Sequence, residues 1–246
     1  MKNIVIAYHI YLTGNDSPEM ILEQFRLLLN SGLYQACNKL YIGIVNEENQ
    51  IHSCSDRFDS SVDWIRSFWS FASSKNTLMI PKVEIVVYPE NNEIADTLKR
   101  VRDYSAQNPD EYVLFFHTKG ITHGTQFVED WRRYMEYFVV ENWKDCIQKL
   151  DEGYDCCGVM WNVDTNLGIW PHFSGAFWWA NTSYINTLDH SYLDNDWKYM
   201  REFWIGSNPD VKQFEFHNSG LNDKDAILEG RSHYQLLYPR INYEKL

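Results

Sequence analysis

The chain has 246 residues, 44% of them hydrophobic and 16% aromatic, which is enough apolar material for one large core. Its formal charge of −12 argues against nucleic-acid binding, which relies on a basic field to displace counterions, and against an anionic membrane surface. No stretch approaches the roughly 20 apolar residues of a membrane span, so no integral membrane segment is expected. Met1-Lys2-Asn3 and the Ile4 to Tyr8 run lack the h-region and cleavage site of a signal peptide. The five cysteines are an odd number without metal-type spacing and read as reduced, mostly buried thiols of a cytoplasmic protein. With no linker-like, low-complexity or repeated segment, residues 1–246 read as one domain.

In chain order, Ile4 to Leu12 reads as a first strand. Asp16-Ser17-Pro18 opens a helix, with a capping side chain and proline at its first turn. Ile21, Leu22, Phe25, Leu28 and Leu29 share one helical face, and Gly32 ends it. Leu40 to Val45 is a second strand, Asn46 to Ser60 a polar loop, Ser61 to Ser73 a helix, Val83 to Tyr88 a third strand and Glu93 to Ala106 a helix. Tyr112 to Phe116, after the turn signal Asn108-Pro109-Asp110, is a strand buried on both faces. Phe127 to Leu150 keeps the spacing of one long helix. Cys156 to Trp161 and Ala176 to Ala180 are further strands, and a short helix opens at Asn181 or Thr182. Asp196 to Ile205 is a helix, and the last forty residues are irregular. Alternating strands and helices predict the α/β class, with a mixed, mostly parallel sheet flanked by helices.

The fourth strand runs into His117-Thr118-Lys119-Gly120. Ligands of open α/β sheets bind at the carboxyl ends of strands, so these residues are site candidates, with Gly120 allowing close backbone approach. A polar surface loop is the competing reading. From Lys99 to Arg133, six Lys and Arg face five carboxylates, a local excess of one positive charge in an acidic protein. His172, Ser174 and Gly175 precede the aromatic run Ala176-Phe177-Trp178-Trp179-Ala180 and are candidates for the same reason. Trp178 and Trp179 point to opposite faces of a strand, so at most one easily meets a ligand, and two core tryptophans remain the alternative.

The combination of His117 to Gly120 with His172 to Ala180 resembles nucleotide-sugar-dependent glycosyltransferases of the GT-A fold, in particular a group of bacterial and large-virus proteins carrying both segments. The resemblance covers about Asn3 to Ile205. It implies a Rossmann-like domain with a nucleotide-binding half (1–120) and an acceptor half (121–246). It implies a UDP- or GDP-sugar donor and a glycan or glycolipid acceptor. On that resemblance, Tyr8, His9, Arg100, His117, Thr118, Lys119 and Gly120 are donor-side residues, and His172, Ser174, Gly175 and Trp178 acceptor-side. Glu202 is the first candidate for the catalytic carboxylate and Asp196 the second, with an exposed helical glutamate as the alternative.

The chain departs from that family where an Asp-x-Asp motif is usual, because His117-Thr118-Lys119 stands there. A lysine repels a divalent metal and contacts a phosphate as a point charge instead. The expectation is therefore leaving-group stabilisation by Lys119, aided by Arg100 or Arg132, with no cofactor required. The alternative is Mn²⁺ or Mg²⁺ held by His117, Asp130 and His217. A GT-A-like module that only binds sugar nucleotide or glycan is the main rival. A nucleotidyltransferase is disfavoured, because Tyr11 to Ser17 contains no Lys or Arg. Dinucleotide, P-loop and nucleophile-elbow fingerprints are absent.

Overall fold

The computed structural model describes residues 2–12, 17–46, 61–74, 82–122, 124–221, 228–230 and 232–244. The expected cap at Asp16 and most of the 46–60 loop lie outside them. Strands β1 (Ile4–Leu12), β2 (Lys39–Asn46), β3 (Val83–Tyr88) and β4 (Tyr112–His117) alternate with helices α1 (Ser17–Asn30), α2 (Leu33–Ala36), α3 (Ser61–Ser74) and α4 (Ala95–Gln107). Gly32, at a φ of 75°, turns the chain after α1, as its left-handed backbone favours glycine. The second half contains α5 (Gln126–Glu136), α6 (Trp143–Asp151), β5 (Cys156–Gly158), β6 (Trp161–Asp164), β7 (Ile169–Phe173), β8 (Trp178–Asn181), α7 (Thr182–Ile185), α8 (Tyr199–Phe203) and β9 (Gln213–Glu215).

The main sheet has the order β3-β2-β1-β4-β8-β5-β9. β8 runs antiparallel to both of its neighbours, and the other recorded pairings are parallel. The fold is α/β with a mixed, mostly parallel central sheet, as expected. Strand alternation divides the core. Ile4, Ile6, Tyr8, Leu114 and Phe116 pack on one face with α1, α3, α5 and α6, while Val5, Ala7, Val113 and Phe115 pack on the other with α4 and α7. The chain steps outwards from β1 through β2 to β3, then returns across the sheet to β4. The sheet order therefore reverses between β1 and β4, and the crevice at their carboxyl ends is where such folds take ligands.

Three element expectations need correction. The long helix is interrupted by a π-helical turn, Tyr137–Glu141. The Asn142 amide N–H and its side-chain Nδ2 both donate to the Tyr137 carbonyl, at 3.0 and 2.9 Å, which inserts a residue without disturbing the apolar spacing. The strand expected over 156–161 ends at Gly158. The chain turns at Met160, whose φ is 55°, and then forms a separate β6–β7 hairpin. The Asp196 to Ile205 helix shrinks to α8, followed by a 3-10 turn at Trp204–Gly206. Gly206 is required there because a Cβ would overlap the Pro171 carbonyl of β7. Among the described residues, no helix is long and apolar enough to cross a membrane.

Candidate functional site

His9 and His117 lie opposite each other in the β1–β4 register, one on each side of the reversal point. Beyond them the two chain ends are tied together. The Thr118 amide donates to the His9 carbonyl at 3.1 Å, and Thr118 Oγ1 accepts from the Tyr11 amide at 3.0 Å. Thr118 is buried, so it shapes the loop rather than facing a ligand broadly. Gly120 has a φ of 86°, and a Cβ there would overlap Val128 Cγ1 in the first turn of α5. Close packing on α5, more than approach to a ligand, is what requires glycine. Gly120→Ala should lower stability by about 1–3 kcal/mol, and Val128→Ala should restore part of that loss. Urea unfolding of the two single variants and the double variant checks both statements.

Two cavities open from this edge. The first, about 330 Å³, is lined by His9, Tyr11, His117 to Thr122, by Asn91, Glu93 and Ile94 ahead of α4, and by Lys198, Tyr199, Glu202 and Tyr234. The second, about 360 Å³, is lined by Trp131, by Leu167 to Ile169, by His172, Ser174 and Gly175, and by Trp197, Phe203, Ser232 and His233. Lys119, Tyr199, Glu202 and Tyr234 line both and form the wall between them. The Lys119 ammonium lies over the Trp131 ring, 4.7 Å from its centroid, and 5.7 Å from that of Tyr234. These contacts hold a flexible cation in place at the wall.

His9 and His117 are neutral here. His9 is 2% exposed, its Nδ1 is 2.9 Å from Thr97 Oγ1, and burial pushes its pKa down to about 3. His117 is also pushed down to about 3, first by burial and then by the Lys119 charge. Its Nε2 lies 2.9 Å from the Gly175 carbonyl, which can only accept. The proton is therefore on Nε2, and Nδ1 carries the lone pair. Gly175, with φ 88°, has no room for a Cβ, which would stand 2.6 Å from Met135 Sδ. This contact joins the two sequence motifs in space.

Depressed histidine pKa values have a pH signature. The unfolded chain takes up these protons below about pH 6.5, while the folded chain resists until about pH 3. The stability is fully present above pH 6.5 and is lost as pH falls towards 3. For His9 alone the loss at pH 5 should be about 2 kcal/mol. Urea midpoints at pH 7 and 5 should show this slope, and His9→Gln should flatten it.

Several expected site residues are placed elsewhere. Tyr8 is fully buried, stacked on Phe116 at 4.4 Å, with its hydroxyl donating to Gln24 Oε1 at 2.5 Å. Even-numbered β1 residues face α1, so Tyr8 cannot stack on a base. Arg100 pairs with Glu84 near the start of β3 and lies over Tyr41, towards the opposite edge of the sheet. Arg132 is 1% exposed and gives both Glu136 oxygens a bond at 2.8 Å, plus one to Glu23 at 2.7 Å. Lys99 pairs with Asp194, and Arg133 with Glu23 and Glu129, so the basic stretch does not gather on a ligand. Trp178 packs under the sheet against Phe115 and Trp204, and Trp179 donates its indole N–H to the Val139 carbonyl on the other face. Both are core residues. Asp196 is exposed and lines neither cavity.

His172 and Ser174 do reach the second cavity. His172 Nδ1 donates to the Trp170 carbonyl at 2.8 Å, and Ser174 Oγ accepts from Asn162 Nδ2 at 2.5 Å. The metal alternative fits poorly. Asp130 accepts from Gln126 and lies by a separate cavity with Glu23 and Arg133, and His217 Nδ1 meets the Tyr134 hydroxyl at 2.7 Å. His117, Asp130 and His217 are not brought together. Among the described residues, no group of three or more His, Cys, Asp or Glu is placed to hold a metal ion. At the Asp-x-Asp position the only formal charge is an ammonium. Sequence reasoning missed Tyr234 and the cavity role of Trp131. Tyr234 lies in the irregular tail, and Trp131 has the spacing of an ordinary core residue.

Fold and site together define an α/β protein with a cleft at the reversal point of its sheet and a second cavity beside it. The chain belongs to the family described as Domain of unknown function (DUF8361), whose model matches residues 8–193. That span includes both motifs but not Glu202 or Tyr234. No curated protein matches the chain. Among solved structures, it is similar to HddC from Yersinia pseudotuberculosis, with 11% identity, a TM-score of 0.38, and 89% of this chain and 91% of that one covered. It is also similar to 4-diphosphocytidyl-2C-methyl-D-erythritol synthase, with 8% identity, a TM-score of 0.37, and 93% and 97% covered. A third similarity is to HddC complexed with GMP-PN, with 11% identity, a TM-score of 0.37, and 87% and 90% covered. At these scores no activity carries over.

Proposed function

We propose that the chain is a glycosyltransferase that moves a sugar from a UDP- or GDP-sugar to a glycan or glycolipid acceptor. The observation that carries this reading is the wall shared by the two cavities, in which a cation, Lys119, and a carboxylate, Glu202, both face both spaces. Transfer between two substrates is served by this arrangement, which puts both groups within reach of donor and acceptor. The donor diphosphate lies in the first cavity, with its developing charge on Lys119. The acceptor lies in the second, and its hydroxyl gives its proton to Glu202. The bond from the sugar's anomeric carbon to the diphosphate breaks as the bond to the acceptor oxygen forms, with inversion. Neutral His117 accepts a hydrogen bond through Nδ1 and so suits a hydroxyl of the donor, not its phosphates.

No metal enters this scheme, because His117-Thr118-Lys119 provides no carboxylate and its ammonium, held at the wall by Trp131 and Tyr234, supplies the positive charge. The test is thermal stabilisation by a panel of nucleoside diphosphates and nucleotide sugars, with and without Mn²⁺, since a ligand of the native state raises Tm. A UDP- or GDP-compound should stabilise the protein, and Lys119→Ala should weaken that effect. Stabilisation by none of the panel sinks the reading. Binding of a nucleotide sugar without turnover on any acceptor would instead favour the binding module.

A further inference from the structure

The second cavity has an unusual rim for a chain of this charge. Trp197 is 47% exposed, Tyr199 45% and Tyr234 40%, and all three line it. Large aromatic faces are normally covered, so a cluster left open at a cavity mouth marks a surface kept for a ligand. The cluster is held in place. The Trp197 amide N–H donates to Asn195 Oδ1 at 2.8 Å, and the Trp197 ring stands edge-on to Tyr199 at 5.6 Å and to Phe203 at 5.8 Å. His172 meets Phe203 edge-on from below, at 4.7 Å. Trp170, 42% exposed, comes from β7, the strand that also supplies His172 to the cavity.

Inside this aromatic rim the lining is mixed, with Trp131, Leu167, Ile169 and Phe203 giving apolar surface beside several polar groups. Glu202, His172, Ser174, Ser232 and Lys119 all line it. An alkyl chain has no use for these groups, and burying them against it would cost their solvation. A pyranose ring matches both features, because its C–H face packs on an aromatic plane while its equatorial hydroxyls meet side-chain donors and acceptors at the edge. The cavity volume, about 360 Å³, lies at the low end of the roughly 300–1,000 Å³ of small-molecule sites. Of the exposed aromatics, Trp197 lines this cavity and not the first, so it stands away from the shared wall.

We infer that the second cavity is a carbohydrate subsite that takes the terminal sugar of a preformed oligosaccharide, with Trp197, which lines this cavity and not the first, stacking on the preceding sugar. This deepens the reading of the same site as the acceptor side of a glycosyltransferase and selects a glycan over a lipid-linked single sugar.

The test is titration of the intact protein with maltotriose, cellotriose, chitotriose and mannotriose, followed by intrinsic tryptophan fluorescence and by saturation-transfer NMR. Octanoate serves as the apolar probe. At least one trisaccharide should bind at least about tenfold more tightly than its own monosaccharide, as expected when a second ring stacks on an aromatic face. Trp197→Ala should remove that advantage, and Leu237→Ser, an exposed substitution outside both cavities, should not. Binding of octanoate at the same site, or no trisaccharide binding at all, overturns the subsite. If nucleotides stabilise the protein but no glycan binds, the subsite fails and the transferase reading stands. If glycans bind with the Trp197 dependence and no nucleotide does, the subsite stands and the transferase reading fails.

Discussion

Glu202→Gln should lower glycosyl transfer by about 10²–10⁴-fold, with the fold intact. General-base catalysis contributes about that much, and glutamine keeps the shape and hydrogen bonds of the side chain while losing its capacity to take a proton. Glu202 is half-buried at the wall between the cavities, so an isosteric change there should cost little stability. The loss should appear in kcat rather than in donor affinity, because the proton moves only as the acceptor attacks. Asp196→Asn is the contrast. Asp196 sits on the surface a few residues earlier and should leave the rate essentially unchanged. Steady-state transfer with a nucleotide sugar that stabilises the protein checks both variants. A Glu202→Gln enzyme with wild-type kcat would return Glu202 to the status of an ordinary helical glutamate.

Lys119→Ala should reduce turnover by at least about tenfold. Removing one donor aimed at a developing negative charge costs about 2.7–4 kcal/mol where that donor acts mainly in the transition state. Lys119 is the lysine that the Trp131 and Tyr234 rings hold against the cleft, whereas Arg100 and Arg132 are committed to Glu84 and to Glu136 with Glu23. Neither arginine can therefore replace it. Thr118, one residue earlier, makes the structural bonds of the loop, so the backbone path should survive the substitution. Thermal unfolding should confirm this, and single-turnover kinetics should place the loss in the chemical step. Unchanged turnover would make Lys119 a solvated loop residue and remove the main support for metal-free leaving-group stabilisation.

Much of the frame was legible because it depends on local pattern. The buried run Tyr112 to Phe116 ending in polar residues marked β4 and the sheet edge, and Ile4 to Leu12 and Val83 to Tyr88 match β1 and β3 in full. The misreadings share a cause. Tyr8 and Trp178 are strand aromatics close to the candidate motifs, and only the packing of α1 and of the Trp204 turn on opposite faces shows that both are core. The π-helical turn after α5 leaves the apolar spacing almost unchanged, so one helix and two looked alike. Arg100 and Arg132 counted as available charge until their carboxylate partners, 16 and 109 residues away for Glu84 and Glu23, came into contact.

The sequence by itself determined the α/β class, the strand that carries His117 to Gly120, and the two segments that supply candidate residues, because hydrophobic periodicity and turn chemistry act over a few residues. Only the tertiary structure decided where those candidates stand relative to one another. It set His117 against Gly175 and so placed the imidazole proton. It brought Tyr234 from the tail over Lys119, and it put Lys119 and Glu202 on one wall between two cavities. These are contacts between segments 58 to 115 positions apart, whose formation depends on the order of strands in the sheet and the reversal between β1 and β4. No local pattern encodes that order, since every parallel strand with a crossover helix reads alike in one dimension.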